Sequence, residues 1–474
     1  MEEEIRFGTD GWRAVIGQGF TEENLIRVIE AAGRAYQENL QAQGIDVRSG
    51  KAAPTLFVGH DCRKDAHHYA EIAAQVAAGQ GFTVKLSNSY CPTPALCWTV
   101  AHDDEAVGGI ILTSSHNPAE YLGVKLRMAD GGASPKEFTD RVEELLPKSA
   151  SGALGPFEET DIMAPYLEAL KGCVDAEAIR AAHLRVLVDP LFGAGRGYLA
   201  GLLEGMGVEV AEIHNAEDPN FGGLHPEPIE PNVNGAMAAT KEGAFDAGFV
   251  TDGDADRIAA IDDQGNYVNP HRILALLVAH LVEDKGLSGR VVSTATYSVM
   301  LARQCARLGL ELTITPVGFK WIYGEMGKGD VLIGGEESGG IGIPTHVKER
   351  DGLLMTLLLA EMMAQRKKGL RELLDDMFAK TGRFEFERRG LDVSESQIER
   401  FRNETLAHYD VEEFSGKRAL GIDRSDGVKL SLEGDAWVMM RPSGTEPIVR
   451  IYAEAATVEE VKQLLDTAQK VVEG

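Results

Sequence analysis

Positive charge is in short supply in this sequence: 47 lysines and arginines face 74 aspartates and glutamates, for a formal net charge of −27 at pH 7. Such an excess repels phosphate backbones and anionic lipid surfaces, so neither nucleic acid nor a membrane is an expected partner. A small anionic ligand stays open, because a local group of Arg and Lys can hold a phosphate inside an acidic protein. Long apolar runs are missing too. The richest stretch, residues 353–363, is interrupted by Thr356 and Glu361 and reads as a buried helix. Cysteine is sparse and scattered: Cys62, Cys91, Cys97, Cys173 and Cys305, with no C-x-x-C pair. These read as reduced structural thiols, not a zinc site or a disulfide framework. The first residues, Met1-Glu2-Glu3-Glu4, are acidic where a secretion signal would be basic, so a cytoplasmic location is expected.

What is present is ordinary for a globular enzyme-sized chain: 474 residues, 44% hydrophobic and 26% charged, with 53 glycines for strand-to-helix turns. That length predicts three to four domains. Short apolar runs alternate with amphipathic helices. Residues 21–36 form the clearest helix, with Thr21 as cap, Glu22 and Glu23 in the first turn, and Leu25, Ile29, Ala32 and Tyr36 on one face. Residues 56–58 and 109–112 read as buried strands. A stretch of small and polar residues at 147–156 marks the first boundary. The pattern predicts an α/β chain divided at 1–155, 156–265, 266–380 and 381–474. In the second unit, Gly193-x-Gly195-x-Gly197 lacks the dinucleotide-binding spacing, and Pro190 disrupts it further. The last unit closes with a helix opened by the capping box Thr457-x-x-Glu460.

Four loops carry chemistry. The first, Thr113-Ser114-Ser115-His116-Asn117-Pro118, follows a strand. A serine hydroxyl there needs a base or a metal to act as a nucleophile, and the same residues also suit a plain turn. Local chemistry does not choose between Ser114 and Ser115. The second, Asp252-Gly253-Asp254-Ala255-Asp256-Arg257, sets three carboxylates at i, i+2 and i+4 between apolar runs. Such charges repel unless a cation sits among them, and oxygen-only ligands favour a hard ion such as Mg²⁺. A calcium EF-hand does not fit, because Arg257 and Asp263 stand where that loop needs Gly and Glu. The third, Gly334-Gly335-Glu336-Glu337-Ser338-Gly339-Gly340, follows a predicted strand, a common place for ligands in α/β domains. Glu336 and Ser338, two apart, can face sugar hydroxyls together. The fourth, Arg441-Pro442-Ser443-Gly444-Thr445-Glu446-Pro447, combines a guanidinium, hydroxyls and a glycine-bearing turn that suit a phosphate dianion.

In this order, the four loops resemble those of the α-D-phosphohexomutase superfamily, and of its bacterial phosphoglucomutase/phosphomannomutase members most closely. Phe7-Gly8-Thr9-Asp10-Gly11-Trp12-Arg13 and Gly318-Phe319-Lys320 extend the likeness over essentially the whole chain. The resemblance implies three related α/β domains plus a C-terminal α+β domain around a central cleft. It implies interconversion of hexose 1-phosphate and hexose 6-phosphate, glucose or mannose, through a phosphoserine and a hexose 1,6-bisphosphate. The phosphoserine would be Ser115, which would join Asp252, Asp254 and Asp256 around Mg²⁺. Arg13, His116 and Lys125 would flank the reacting phosphate, with Lys125 a candidate acid/base. Arg257 and Lys320 would face the phosphosugar, Glu336 and Ser338 would hold its hydroxyls, and Arg441, Ser443, Gly444 and Thr445 its distal phosphate. Some members carry a histidine directly after the sugar loop, where this chain has Gly340. His346 is the expected substitute, with Lys348 as a second candidate. Phe-Gly-Thr-Asp-Gly keeps a phosphoglucosamine mutase open, and a non-catalytic phosphosugar-binding protein is the remaining alternative.

Overall fold

The computed structural model describes residues 5–8, 10–44, 54–443 and 447–473, which build four sheets in chain order. The first has seven strands in the order Phe7–Gly8, Gly11–Val15, Tyr121–Met128, Ala106–Leu112, Thr55–His60, Thr83–Ser87 and Glu158–Thr160. Its inner strands run parallel, and Tyr121–Met128 adds an antiparallel neighbour. The polar strand Glu158–Thr160 pairs with Thr83–Ser87 at the far edge, so this sheet continues past residue 155, where the sequence pattern places its end. Three exposed or half-exposed residues make no hydrophobic pattern, which is why that strand escapes sequence reading.

The second sheet is centred on Ala247–Thr251 beside Arg185–Asp189, and the third on Arg290–Thr294 between Leu312–Thr315 and Val331–Gly335. Both pair parallel at their centres and antiparallel at one edge, as the first does. The fourth, six strands from Glu385–Asp392 to Ile448–Ala455, is antiparallel throughout and is backed by the helix Val458–Glu473. Three α/β units and one α+β unit are thus present, matching the expected fold class.

Local chemistry explains the elements. Thr21 Oγ1 accepts the Asn24 N–H at 3.2 Å to cap the helix Glu22–Ala42, which continues past Tyr36. The Tyr36 hydroxyl donates to the carbonyls of Arg127 and Gly109 at 2.8 and 3.2 Å, locking this helix to two adjacent strands. The helix Gly352–Arg366 is buried from Gly352 to Ala364, and its Leu353, Leu357 and Leu358 each contribute about 1.5–3 kcal/mol of apolar burial. One core joins the second and third sheets to one face of the first (Leu96, Phe249, Leu357), while the other face and the fourth sheet have their own. No described helix is long and apolar enough to cross a membrane. The consequence for function is positional: the strands Ala106–Leu112, Ala247–Thr251 and Val331–Gly335 each end at one of the first three candidate loops.

Candidate active site

Ser115 lies on the turn after Ala106–Leu112, buried and with a positive φ of 50°. Its Oγ donates to Asp252 Oδ2 at 3.0 Å and lies 3.3 Å from His116 Nδ1. The buried Ser114 hydroxyl has no hydrogen-bond partner among the described residues. The structure therefore brings Ser115 to the aspartate loop directly. A Cβ on Gly253 would sit 2.3 Å from the Ser115 carbonyl oxygen, so only glycine lets the two loops close on each other.

Asp252, Asp254 and Asp256 are fully buried, with one ligand oxygen from each lying within 4.8 Å of the others. Burial together with the charges of Asp256 and Asp254 pushes the Asp252 carboxyl well above its ordinary range. Burial would raise Asp254 too, but the Lys125 ammonium 2.7 Å away overrides it and holds this carboxyl low. Lys125 also meets Asp256 at 3.1 Å and Asp10 at 2.9 Å. Burial alone would lower its pKa, and the three carboxylates reverse that and raise it. Held among three carboxylates, the Lys125 ammonium is placed to stabilise charge beside the triad. Asp254 Oδ1 and Asp256 Oδ1 have no hydrogen-bond partner among the described residues. Buried carboxylate oxygens left without donors, in an all-oxygen set, fit a hard divalent cation such as Mg²⁺.

Further cations meet the serine and aspartate loops. Arg13 Nη1 donates to Asn117 Oδ1 at 2.5 Å. Arg257 Nε lies 3.8 Å from Asp252 Oδ2, and its Nη1 lies 3.3 Å from Glu227. Burial first, then the charges of Arg257, Arg13, Arg388 and Lys125, depress the His116 imidazole well below its ordinary value. His116 is thus neutral, and can accept or return a proton at Ser115 Oγ.

The third loop docks against the second. An isolated bridge pairs Arg257 with Gly340, and the Ile258 N–H donates to the Gly339 carbonyl at 3.1 Å. Glu336 is buried and raised to about 7 by that burial, with Arg350 opposing and Glu337 adding to it. A carboxyl near neutrality can both donate to and accept from sugar hydroxyls. Ser338 is half-buried on the same loop. Glu337 turns away and accepts from Thr296 Oγ1 at 2.7 Å.

His346 does not join this group. Its Nε2 meets Asp351 at 3.1 Å and its Nδ1 meets Cys173 Sγ at 3.7 Å, so both nitrogens are engaged elsewhere. Lys348 pairs with Asp130 at 2.9 Å. The residue of this segment that reaches the site is Arg350. Its Nη2 donates to Asp10 Oδ2 at 2.6 Å and lies 2.7 Å from Asp256 Oδ2, while its Nη1 is 3.9 Å from Glu336. Arg350 also explains Gly340: a Cβ there would fall 2.2 Å from Arg350 Cδ. Asp10, which joins Lys125, Arg127 and Arg350, likewise escapes sequence reading as a site residue, although its segment does not.

In the fourth loop, Arg441 Nε donates to both Asp426 oxygens at 2.9 Å, and Asp426 accepts the Val317 N–H at 2.7 Å. Partial burial, then the charges of Lys136 and Arg441, lower the Lys320 ammonium's pKa, and the ammonium lies 5.4 Å from the Trp321 ring centroid. Ser443 is buried, its N–H donating to the Ile448 carbonyl at 2.7 Å. Gly444 and Thr445 lie outside the described residues, as does Thr9.

Comparison with known proteins covers all four units. Residues 4–152, 164–265 and 269–381 match the alpha/beta/alpha domains I, II and III of phosphoglucomutase/phosphomannomutase, and residues 399–470 match its C-terminal domain. A phosphoglucomutase/phosphomannomutase of Thermococcus kodakarensis is 33% identical over 98% of both chains. A phosphoglucosamine mutase of Carboxydothermus hydrogenoformans is 30% identical over 98% of this chain and 99% of its own. A crystal structure of a provisionally assigned phosphomannomutase from Thermus thermophilus superposes with a TM-score of 0.88, at 38% identity and over the full length of both chains.

Proposed function

The chain belongs to the phosphoglucomutase/phosphomannomutase family, and we propose that it interconverts hexose 1-phosphate and hexose 6-phosphate through a phosphoserine at Ser115. One observation carries the reading: the Ser115 hydroxyl donates to a carboxylate of a buried aspartate triad with which Lys125 and Arg257 also pair.

In the first half-reaction the phosphoserine gives its phosphoryl group to a free hydroxyl of the sugar monophosphate. The Oγ–P bond breaks, a sugar O–P bond forms, and a hexose 1,6-bisphosphate results. The proton of the attacking sugar hydroxyl passes to the neutral His116 imidazole beside Oγ, and from there to Oγ as that oxygen leaves. In the second half the other phosphate is presented, its sugar O–P bond breaks, and Ser115 is rephosphorylated. Arg13, Lys125 and Arg257 supply fixed positive charge where the transferring oxygens accumulate negative charge, which is the main task in phosphoryl transfer. Asp252, Asp254 and Asp256 would hold Mg²⁺, which supplies further neutralisation of the phosphoryl oxygens. Glu336 and Ser338 orient the sugar, while Arg441, Ser443 and Lys320, with Gly444 and Thr445 of the same motif, anchor the phosphate that is not transferred. Remote binding of that kind holds the reacting group in place.

The same parts serve a phosphoglucosamine mutase, which the Carboxydothermus relative makes the second reading. Turnover of glucose 1-phosphate, mannose 1-phosphate and glucosamine 1-phosphate separates the two. The test of the mechanism is intact mass with phosphosite mapping, beside Ser115→Ala. A phosphate on Ser115 and a folded, inactive Ser115→Ala protein are expected. An active Ser115→Ala protein would sink the proposal.

A further inference from the structure

Ser115 holds a left-handed backbone conformation that a non-glycine residue adopts only at a cost of about 1 kcal/mol or more, so something must hold it there. Two side chains outside the reaction chemistry do so. Arg63 and Asp61 follow the strand Thr55–His60, and both side chains are fully buried. Arg63 Nη2 donates to the carbonyls of Ser115 and Asn117, both at 2.7 Å. Its Nη1 donates to the carbonyls of Pro118 and Tyr121 at 2.7 and 3.0 Å. Its Nε donates to Asp61 Oδ2 at 3.2 Å, so all five guanidinium N–H vectors are used. Asp61 Oδ2 in turn accepts from Thr113 Oγ1 at 2.6 Å, and Thr113 Oγ1 accepts the Ser115 N–H at 2.9 Å. The two backbone groups of Ser115 are therefore tied to the same ion pair, the carbonyl through Arg63 and the N–H through Thr113 and Asp61. The ring of Phe221, from the second unit, lies 4.9 Å from the guanidinium carbon.

We propose that Arg63, locked by Asp61, is the positioning residue of the phosphoserine loop, setting the angle at which Ser115 Oγ meets the aspartate triad and the incoming phosphosugar. The proposal rests on Ser115 being the nucleophile. It makes a claim that simple structural support does not: the fork geometry itself matters, because a lysine keeps the charge but cannot serve two pairs of carbonyls at once. Displacement of a reacting group by about 1 Å is enough for a hundredfold loss of rate.

The test compares the full-length parent with Arg63→Lys and Thr113→Val. The readouts are Tm, steady-state kcat and KM with glucose 1-phosphate, and the single-turnover rate of phosphoryl transfer from the phosphorylated enzyme to glucose 6-phosphate. Arg63→Lys is expected to stay folded at the assay temperature. Its single-turnover rate and kcat should fall by about a hundredfold while KM moves by less than about threefold. Thr113→Val, which cuts only the N–H side, should lose about tenfold in the same rate. An active parent with an Arg63→Lys variant of equal kcat overturns the brace alone. So does a loss of kcat that only tracks a loss of folded protein. A parent that carries no phosphate on Ser115 and turns over no hexose phosphate overturns the functional reading, and the brace with it.

Discussion

The carboxylate of Glu227, from the second unit, accepts a hydrogen bond from Arg388 of the fourth, and the same oxygen lies 3.3 Å from Arg257 beside the aspartate triad. Burial would raise this carboxyl, and the two arginines reverse that and lower it. Arg388 thus holds Glu227 between two cations. Without Arg388, Glu227 would be left to Arg257 alone and would compete with a substrate phosphate for it. Arg388→Ala is expected to raise KM for glucose 1-phosphate by about tenfold, the size of a partly exposed charge pair, with a smaller effect on kcat. Unchanged KM in steady-state kinetics would show that the contact is incidental.

Chelation should silence the enzyme. With EDTA, activity is expected to fall by at least about a hundredfold, and Mg²⁺ should restore it. Asp254→Asn should stay impaired at any Mg²⁺ concentration, since it removes a ligand charge and a partner of Lys125 together. Full activity of the EDTA-treated protein in a coupled assay would rule out a metal at the triad.

Gly340 is expected to resist the histidine that some relatives place there. Arg350 fills that space and is itself pinned by Asp10, Asp256 and Glu349. Gly340→His should lower stability by about 1–3 kcal/mol, as overpacking does, and reduce kcat by displacing Arg350. Adding Arg350→Ala should recover Tm but not activity. A Gly340→His enzyme with parental Tm and kcat would contradict this.

His346 gives a pH-dependent contribution to stability. Burial disfavours its charge, but the hydrogen bond to Asp351, aided by Cys173, raises its pKa to about 9 from the ordinary 6.5. The stabilisation is complete below pH 6.5 and is lost as pH rises through 9, with an upper size on the order of 3 kcal/mol. Asp351 also caps the helix Gly352–Arg366, through Oδ1 to the Leu354 N–H at 2.9 Å. The Tm gap between the parent and His346→Gln should therefore be several degrees at pH 6 and close by pH 10. A gap that is constant with pH would mean that His346 acts through packing alone.

Much of this site is legible in sequence because its loops are local: Asp252 to Arg257 and Gly334 to Gly340 are short motifs at the ends of apolar strands. Arg350, Asp10 and Arg63 are of a different kind. Asp10 and Arg350 are 340 residues apart and meet only when the first and third sheets are docked. Arg63 works through backbone carbonyls more than 50 residues away, which no motif records. Lys125 is visible in the sequence, yet its setting is not, because its three carboxylate partners come from two separate segments. His346 reads as available because its partners Cys173 and Asp351 make no pattern with it. Fold class is easier, since strand and helix periodicity repeat along the chain, while two short strands, Glu158–Thr160 of the first sheet and Tyr267–Val268 of the second, lie beyond the boundaries expected at 155 and 265.

The contact of Gly253 with the Ser115 carbonyl has a consequence for recombination among relatives. Ser115 is encoded in one folding unit and its carboxylate partner Asp252 in the next, and they meet with no room for a methyl group on Gly253. A chimera joined between the first and second sheets would inherit two complete halves that have never been fitted to each other. Its activity should depend on how well that seam closes, and hardly at all on which parent supplied the sugar loop.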